Sequence, residues 1–413
     1  MSAASHSVID PVELTRDLIR IPSVTPADEG AMDVLERALT NLGFACRRMV
    51  FEGPSGVGHD ARIENLYARR GTASPNLCFA GHTDVVPIGD LKAWSAGPFE
   101  GETRDGVLYG RGAVDMKGGI AAWVAAVSRV LAQGEVEGSL SFLITGDEEG
   151  PALHGTKRVV QTLAAEGEVI DACVVGEPSS AHHLGDMIKV GRRGSLNTWI
   201  TVHGKQGHVA YPDRAANPAP VIARLLARLD AHVLDEGYPS LDANAPLAER
   251  SCMSVGFPPS NLEITTIDVG NPATNIIPAE AKARLNIRFN PTHTGDGLID
   301  WLNREAGALQ AETGLQIELE HMCSGEAFLT EPGAFVSAVQ DAVEAVLGRR
   351  PEASTTGGTS DARFIRALCP VLELGLVGQT MHQVDERVPE AELRALSDAY
   401  ERVITTVLER LKP

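Results

Sequence analysis

The sequence is short of several things, and each shortage removes a class of protein. It has six cysteines, Cys46, Cys78, Cys173, Cys252, Cys323 and Cys369, and no two form a C-x-x-C pair. Several stand in apolar runs, as Cys78 does in NLCFAG and Cys173 in DACVVG. They read as reduced core residues, which argues against a disulfide frame and a thiolate zinc site. Basic residues are outnumbered: 36 Lys and Arg stand against 55 Asp and Glu, a formal net charge of -19. A field of that sign repels a phosphate backbone, so no nucleic-acid partner is expected. The longest strongly apolar stretch, around Ile120 to Val127, is too short to span a bilayer, so no membrane partner is expected. The opening MSAASHSVIDPVEL lacks the apolar segment of a secretory signal, and a cytoplasmic location is expected. There is no internal repeat, no low-complexity tract and no G-x-S-x-G elbow of a serine hydrolase.

What remains is ordinary globular composition, 43% hydrophobic and 22% charged over 413 residues, long enough for two or three domains. Helical spacing covers Asp10 to Arg20, Gly30 to Leu42 and Met116 to Leu131. Short apolar runs at Leu77 to Ala80, Leu140 to Ile144 and Ala172 to Val175 read as strands. The alternation predicts an α/β domain with a largely parallel core. The texture changes near Gly194. Ser195 to Val202, Ile264 to Val269 and Arg284 to Phe289 have strand character, and Pro218 to Leu229 and Leu298 to Leu309 have helical character. A separate α+β domain is therefore expected over 194–322, inserted into an α/β domain formed by 1–193 and 323–413. The α/β texture returns with a helix at Phe335 to Val346, a strand at Val371 to Leu374 and a helix from Glu390 to Leu411.

Ligands in open α/β sheets gather beyond the carboxyl ends of the strands. Three of the apolar runs end in candidate metal ligands: His82 with Asp84, Asp147-Glu148-Glu149, and Glu177. In extended chain His82 and Asp84 point to the same side, and Asp84 can serve as the acceptor that fixes the imidazole tautomer. Asp115 lies between a glycine-rich loop and a helix. It can be the helix cap or a carboxylate whose two oxygens bridge two cations, and the two roles coexist only if different oxygens serve them. Adjacent Glu148 and Glu149 repel unless a cation or a shared proton compensates. One can then ligate a metal while the other acts as general base on water. A solvated acidic loop is the alternative.

The blocks CFAGHTDVVP, GRGAVDMKGG, ITGDEEGPALHGT, VVGEPSS, IKVGRRGSLN, HGKQGHVAYP, ATNIIP, TTGGTSDARF and MHQVDE occur in this order. Together they resemble the signature blocks of the dinuclear zinc aminoacylase and carboxypeptidase superfamily. The later blocks are similar to its desuccinylase branch in particular. The resemblance implies a zinc-peptidase-like catalytic domain with an inserted dimerisation, or lid, domain. It implies two Zn2+ per subunit, with Co2+ able to substitute. Asp115 would bridge them, His82 and Glu177 completing one site and Glu149 and His382 the other. Glu148 would be the general base, and Asp84 would orient His82. It further implies hydrolysis of N-succinyl-LL-2,6-diaminopimelate by a homodimer. Arg192, Arg193, Ser195, Tyr211, Asn275, Arg288, Gly358 and Thr359 would bind substrate. His208 would reach the partner's site and stabilise the oxyanion; without the resemblance it is a loop histidine. Another N-acyl-amino-acid deacylase, such as an acetylornithine deacetylase, shares the metal set and is the near alternative. A non-catalytic metal-binding protein on the same fold is the distant one, and the retained Glu148 argues against it. The sequence departs from the usual pattern at Ser179, Gln383 and Asp385. The segments near 51–64 and 237–252 are longer than is usual.

Overall fold

The computed structural model describes residues 8–53, 61–237 and 256–412. Cys252 and much of the two long segments lie outside these. The chain divides into two compact units: one of Met1–Val190, Thr330–Ser354 and Ser360–Pro413, the other of Gly191–Leu329 and Thr355–Thr359. The long segment of the second unit begins and ends with paired strands, since Gly191–Arg192 lies antiparallel to Phe328–Leu329. Both strands therefore belong to the insert.

The first unit is built on an eight-stranded sheet. Its centre is parallel: Ser139–Thr145 pairs with Asn76–His82, which pairs with Ala172–Val175, which pairs with Val371–Glu373. Every residue of the first three of these strands is buried, as expected of strands covered on both faces. The predicted parallel core is this run of four central strands. On one flank Ile63–Arg70 and Ala45–Phe51 add antiparallel strands. On the other, Met187–Lys189 joins antiparallel to Val371–Glu373 and parallel to Glu352–Ser354.

The first helix is Pro11–Ile19, with Asp10 accepting from the Val12 N–H as its cap and Pro at its start. It packs on Lys117–Gln133, which packs on Glu390–Arg410, which packs on Ala334–Leu347. Lys117–Gln133 is buried almost all round, so it is an internal helix and not an amphipathic surface one. Trp123 on this helix stacks on Phe79 of the central strand at 4.8 Å and meets Tyr400 edge-on at 4.8 Å. Among the described residues no helix is long and apolar enough to cross a membrane.

The second unit has a four-stranded antiparallel sheet in the order Asn261–Asp268, Glu280–Phe289, Gly194–His203, Ile317–Gly325. Its two inner strands alternate buried and less buried residues, so one face is apolar. That face carries Leu196, Ile200, Ala283, Leu285 and Ile287. It packs with Leu225 and Leu229 of helix Ala219–Asp230 and Leu302 and Leu309 of helix Gly295–Thr313. The cysteine expectation needs correction. Cys78, Cys173 and Cys369 are buried, but Cys46 is only half-buried and Cys323 is exposed. Cys323 sits on an edge strand, where one face meets solvent.

Candidate metal centre

Parallel strands end on the same side of a sheet, and three of them deliver chemistry there. His82 is the last residue of Asn76–His82, Glu148 and Glu149 follow Ser139–Thr145, and Glu177 follows Ala172–Val175. His382 comes from the segment after Val371–Glu373, in a left-handed backbone conformation with φ 62°. Asp115 precedes helix Lys117–Gln133, whose cap residue is Met116 without a side-chain bond. The Asp115 carboxylate is thus not used in capping. It faces two histidines: Oδ1 lies 3.1 Å from His82 Nε2, and Oδ2 lies 3.2 Å from His382 Nε2.

The other carboxylates close around this axis. Glu149 Oε1 is 2.8 Å from His382 Nε2, and Glu177 Oε1 is 3.7 Å from His82 Nε2. Candidate ligand atoms of His82, Asp115 and Glu177 lie within 4.8 Å of one another, as do those of Asp115, Glu149 and His382. A third such group is His82, Glu148 and Glu149. Imidazole nitrogens and carboxylate oxygens at this spacing suit a divalent cation of the zinc or cobalt type. The residues therefore fit two neighbouring cations with Asp115 common to both.

His82 Nδ1 faces the main-chain carbonyl of Asp84 at 2.8 Å, while the Asp84 carboxylate is 3.7 Å away. That carboxylate instead accepts the N–H groups of Glu148 at 3.2 Å and Glu149 at 3.0 Å. Asp84 thus touches both the imidazole and the loop of the paired glutamates. Asp147 closes the same loop by accepting from Ala152 and His154. Gly119 lets the internal helix approach the Glu177 strand, because a Cβ there would stand 2.6 Å from the Gly176 carbonyl oxygen.

The protonation pattern is that of a cluster short of positive charge. Burial, with the Asp115 and Glu148 charges, pushes Glu177 well above the usual carboxylate value. Burial pushes Glu148 well above it too, helped by the charges of Asp361, Glu149 and Asp115. Burial raises Asp84 to about 6. Asp115 goes the other way: burial opposes ionisation, but hydrogen bonds from His382 and His82 outweigh it. Hydrogen bonds to Asp115 and Glu149 push His382 up to about 10. Burial alone would lower His82, but the Asp115 hydrogen bond and the Glu177 charge raise it well above its usual value.

The expected substrate-binding residues lie in the second unit, in two groups. Ser195 is in register with Arg288, which is in register with Asn261. Arg193 Nη1 donates to Asn261 Oδ1 at 2.9 Å. Burial and the nearby Arg193 lower Arg288, so two cations share this end of the sheet. Arg192 is buried and donates to the Thr356 carbonyl at 2.8 Å, while Gly358, two residues on from Thr356, has open space where a side chain would stand. Thr359 closes that short segment. The second group is His208, Tyr211 and Asn275. His208 pairs with Ile276, the Asn275 carbonyl accepts from Val209, and the Tyr211 ring lies 5.9 Å from the His208 ring.

Residues that sequence reasoning passed over also bear on the centre. Asp361 is buried, its carboxyl raised by that burial, and its charge acts on Glu148. Glu386 and Arg111 form a buried ion pair at 2.8 Å. Asp361 stood within the TTGGTSDARF block and Glu386 within MHQVDE, so position in those blocks was the available signal. Of the departures, Ser179 donates to the Met187 carbonyl and accepts from Gly375, tying loop to sheet.

Comparison with known proteins adds to this geometry. Residues 78–406 match Peptidase family M20/M25/M40. A succinyl-diaminopimelate desuccinylase of Caulobacter vibrioides (strain NA1000 / CB15N) is 63% identical over 398 residues, 96% of this chain and 95% of its own length. Another, from Phenylobacterium zucineum (strain HLK1), is 61% identical over 404 residues, 98% of this chain and 99% of its own. Among solved structures, an M20 family metallo-carboxypeptidase from Sulfolobus solfataricus superposes with a TM-score of 0.74 at 16% identity, covering 97% of this chain and 99% of that one. A Bacillus subtilis protein described as a dinuclear metal binding peptidase from the M20 family gives 0.65 at 16% identity, covering 97% and 98%. At these identities the structural likeness speaks for the fold.

Proposed function

The chain belongs to peptidase family M20/M25/M40, and from that premise we propose that it is a metal-dependent amidohydrolase that cleaves N-succinyl-LL-2,6-diaminopimelate to succinate and LL-2,6-diaminopimelate. The relatives at 61% and 63% identity, named for that reaction, support the substrate. The observation that carries the chemistry is Asp115, whose two oxygens face His82 on one side and His382 on the other. We assign His82, Asp115 and Glu177 to one cation and Asp115, Glu149 and His382 to a second, both zinc, with cobalt able to substitute. The assembly proposed is a homodimer, located in the cytoplasm.

His82, Asp115, Glu149, Glu177 and His382 would hold zinc where it would polarise the amide carbonyl and make water more acidic. Glu148 takes the proton from the attacking water on a carboxylate oxygen and returns it to the leaving amine nitrogen. A carboxyl already displaced upward by burial is suited to holding that proton between the two steps. Asp84 supports both sides of the centre, through its carbonyl to His82 and its carboxylate to the Glu148–Glu149 main chain. The substrate is polyanionic, and the whole chain carries -19. Arg192, Arg193 and Arg288 supply the local positive charge, since a guanidinium fork matches a carboxylate in a way lysine does not. Ser195, Tyr211, Asn275, Gly358 and Thr359 line the same binding role, and His208 meets the developing oxyanion.

The test is succinate release from N-succinyl-LL-2,6-diaminopimelate by the purified enzyme, measured beside acetate release from N-acetylornithine. Preferred turnover of the succinylated substrate is expected. Preference for acetylornithine would replace the substrate and leave the metal chemistry standing. Turnover of neither, with metal bound, would favour a non-catalytic role.

A further inference from the structure

The shared carboxylate Asp115 and the histidine His382 stand on loops far apart in sequence, and something must fix the gap between them. The Asp115 loop offers main-chain donors that no helix turn takes up. They converge on Glu386. Its Oε1 accepts from Val114 at 2.9 Å and Asp115 at 3.1 Å; its Oε2 accepts from Gly112 at 3.1 Å and Arg111 Nη1 at 2.8 Å. The Glu386 carbonyl accepts from Gly110 at 2.9 Å. Glu386 is fully buried and Arg111 nearly so.

Arg111 completes the tie from the other direction. Nη1 also donates to the Gln383 carbonyl at 3.1 Å, and Nη2 donates to the Pro87 carbonyl at 3.3 Å. A longer contact, 3.5 Å, runs from Nη2 to the carbonyl of His382 itself. The indole of Trp94 covers the guanidinium at 5.2 Å. His382 has φ 62°, a region few non-glycine residues occupy, so its surroundings must hold it there. Its side chain is half exposed, so packing alone does not hold it.

We infer that Glu386 and Arg111 are positioning residues that set the distance between Asp115 and His382, and so the zinc affinity of the site these two share with Glu149. Neither side chain is a ligand; each acts through the main chain of a ligand loop. The inference rests on the metal-centre reading above. Its physical content is that a carboxylate able to accept from several directed donors at once fixes loop geometry in a way an amide cannot. In Glu386→Gln one acceptor oxygen becomes an NH2 donor, and the donors at that position lose their partner. Arg111→Lys keeps the charge but loses the fork that reaches two separate segments.

The experiment titrates Zn2+ into metal-stripped wild-type, Glu386→Gln and Arg111→Lys proteins against a chromophoric chelator. Thermal unfolding of each metal-free protein is recorded alongside, with Trp123→Phe as a core variant of lowered stability. We expect one zinc equivalent to weaken by about 10–100-fold in both clamp variants, the usual range for groups that orient ligands. The other equivalent should change less, and excess Zn2+ in the assay should restore much of the lost succinate release. Trp123→Phe should bind zinc as wild-type does. If Glu386→Gln fails to fold, Arg111→Lys decides. Wild-type affinity at both equivalents in folded clamp variants would overturn the inference, as would equal weakening in Trp123→Phe. A wild-type protein that takes up no zinc would overturn the metal-centre reading, and the inference with it.

Discussion

Glu148 and Glu149 are neighbours in sequence with different surroundings. Asp84 holds the main chain of both, but the Glu149 carboxylate reaches His382 at 2.8 Å, whereas Glu148 carries a strongly raised carboxyl. Glu148→Gln should therefore leave metal content intact and lower kcat by about 10²–10⁴-fold, the usual span for a general base. Elemental analysis with steady-state kinetics checks this, and near-normal kcat would remove Glu148 from the role. Gly357 makes a second residue-scale case. Its φ is 109°, and a Cβ there would collide with the Arg192 guanidinium. Gly357→Ala should cost more than about 1 kcal/mol in urea unfolding, because alanine is strained at positive φ. It should also raise KM by displacing Arg192, and an unchanged KM would argue against Arg192 in substrate binding. The candidate ligands were legible because they end apolar runs or sit in strong blocks. The Glu386–Arg111 tie was not, because its partners are 275 positions apart and each alone reads as a surface charge.

At the scale of elements, burial decided what could be read. Asn76–His82, Ser139–Thr145 and Ala172–Val175 are buried throughout, so their apolar runs stand out. Ala45–Phe51 was passed over because it is a half-exposed edge strand whose Arg47 and Arg48 interrupt the pattern. Arg48 pairs there with Glu36 at 2.8 Å and Glu64 at 2.6 Å, an arrangement no local window displays. Ile317–Gly325 was missed for the same reason, its residues being half-buried or exposed along an edge. The aromatic packing of Trp123 on Phe79 and Tyr400 joins the internal helix to the strand that ends in His82. Trp123→Ala should destabilise the protein by about 3–5 kcal/mol, the range for emptying a large core site. Denaturant unfolding reads it, and a loss under about 1 kcal/mol would mean that this core repacks freely.

At the scale of the whole molecule, the candidate ligands belong to one unit, and the arginine group and His208 belong to the other. If His208 acts in the partner's reaction within the homodimer proposed above, mixing subunits tests it. Inactive Glu148→Gln and inactive His208→Ala chains, refolded together, should regain part of the activity in the mixed dimers. No recovery, with mixed dimers seen by mass spectrometry, would return His208 to its own chain's reaction or to none. The account as a whole depends on the metal. The most direct measurement strips the protein with a chelator and adds Zn2+ back stepwise while succinate release from N-succinyl-LL-2,6-diaminopimelate is followed. Activity is predicted to be absent without metal and to rise to a plateau by two equivalents per chain. Full turnover in protein shown by elemental analysis to be metal-free would contradict it.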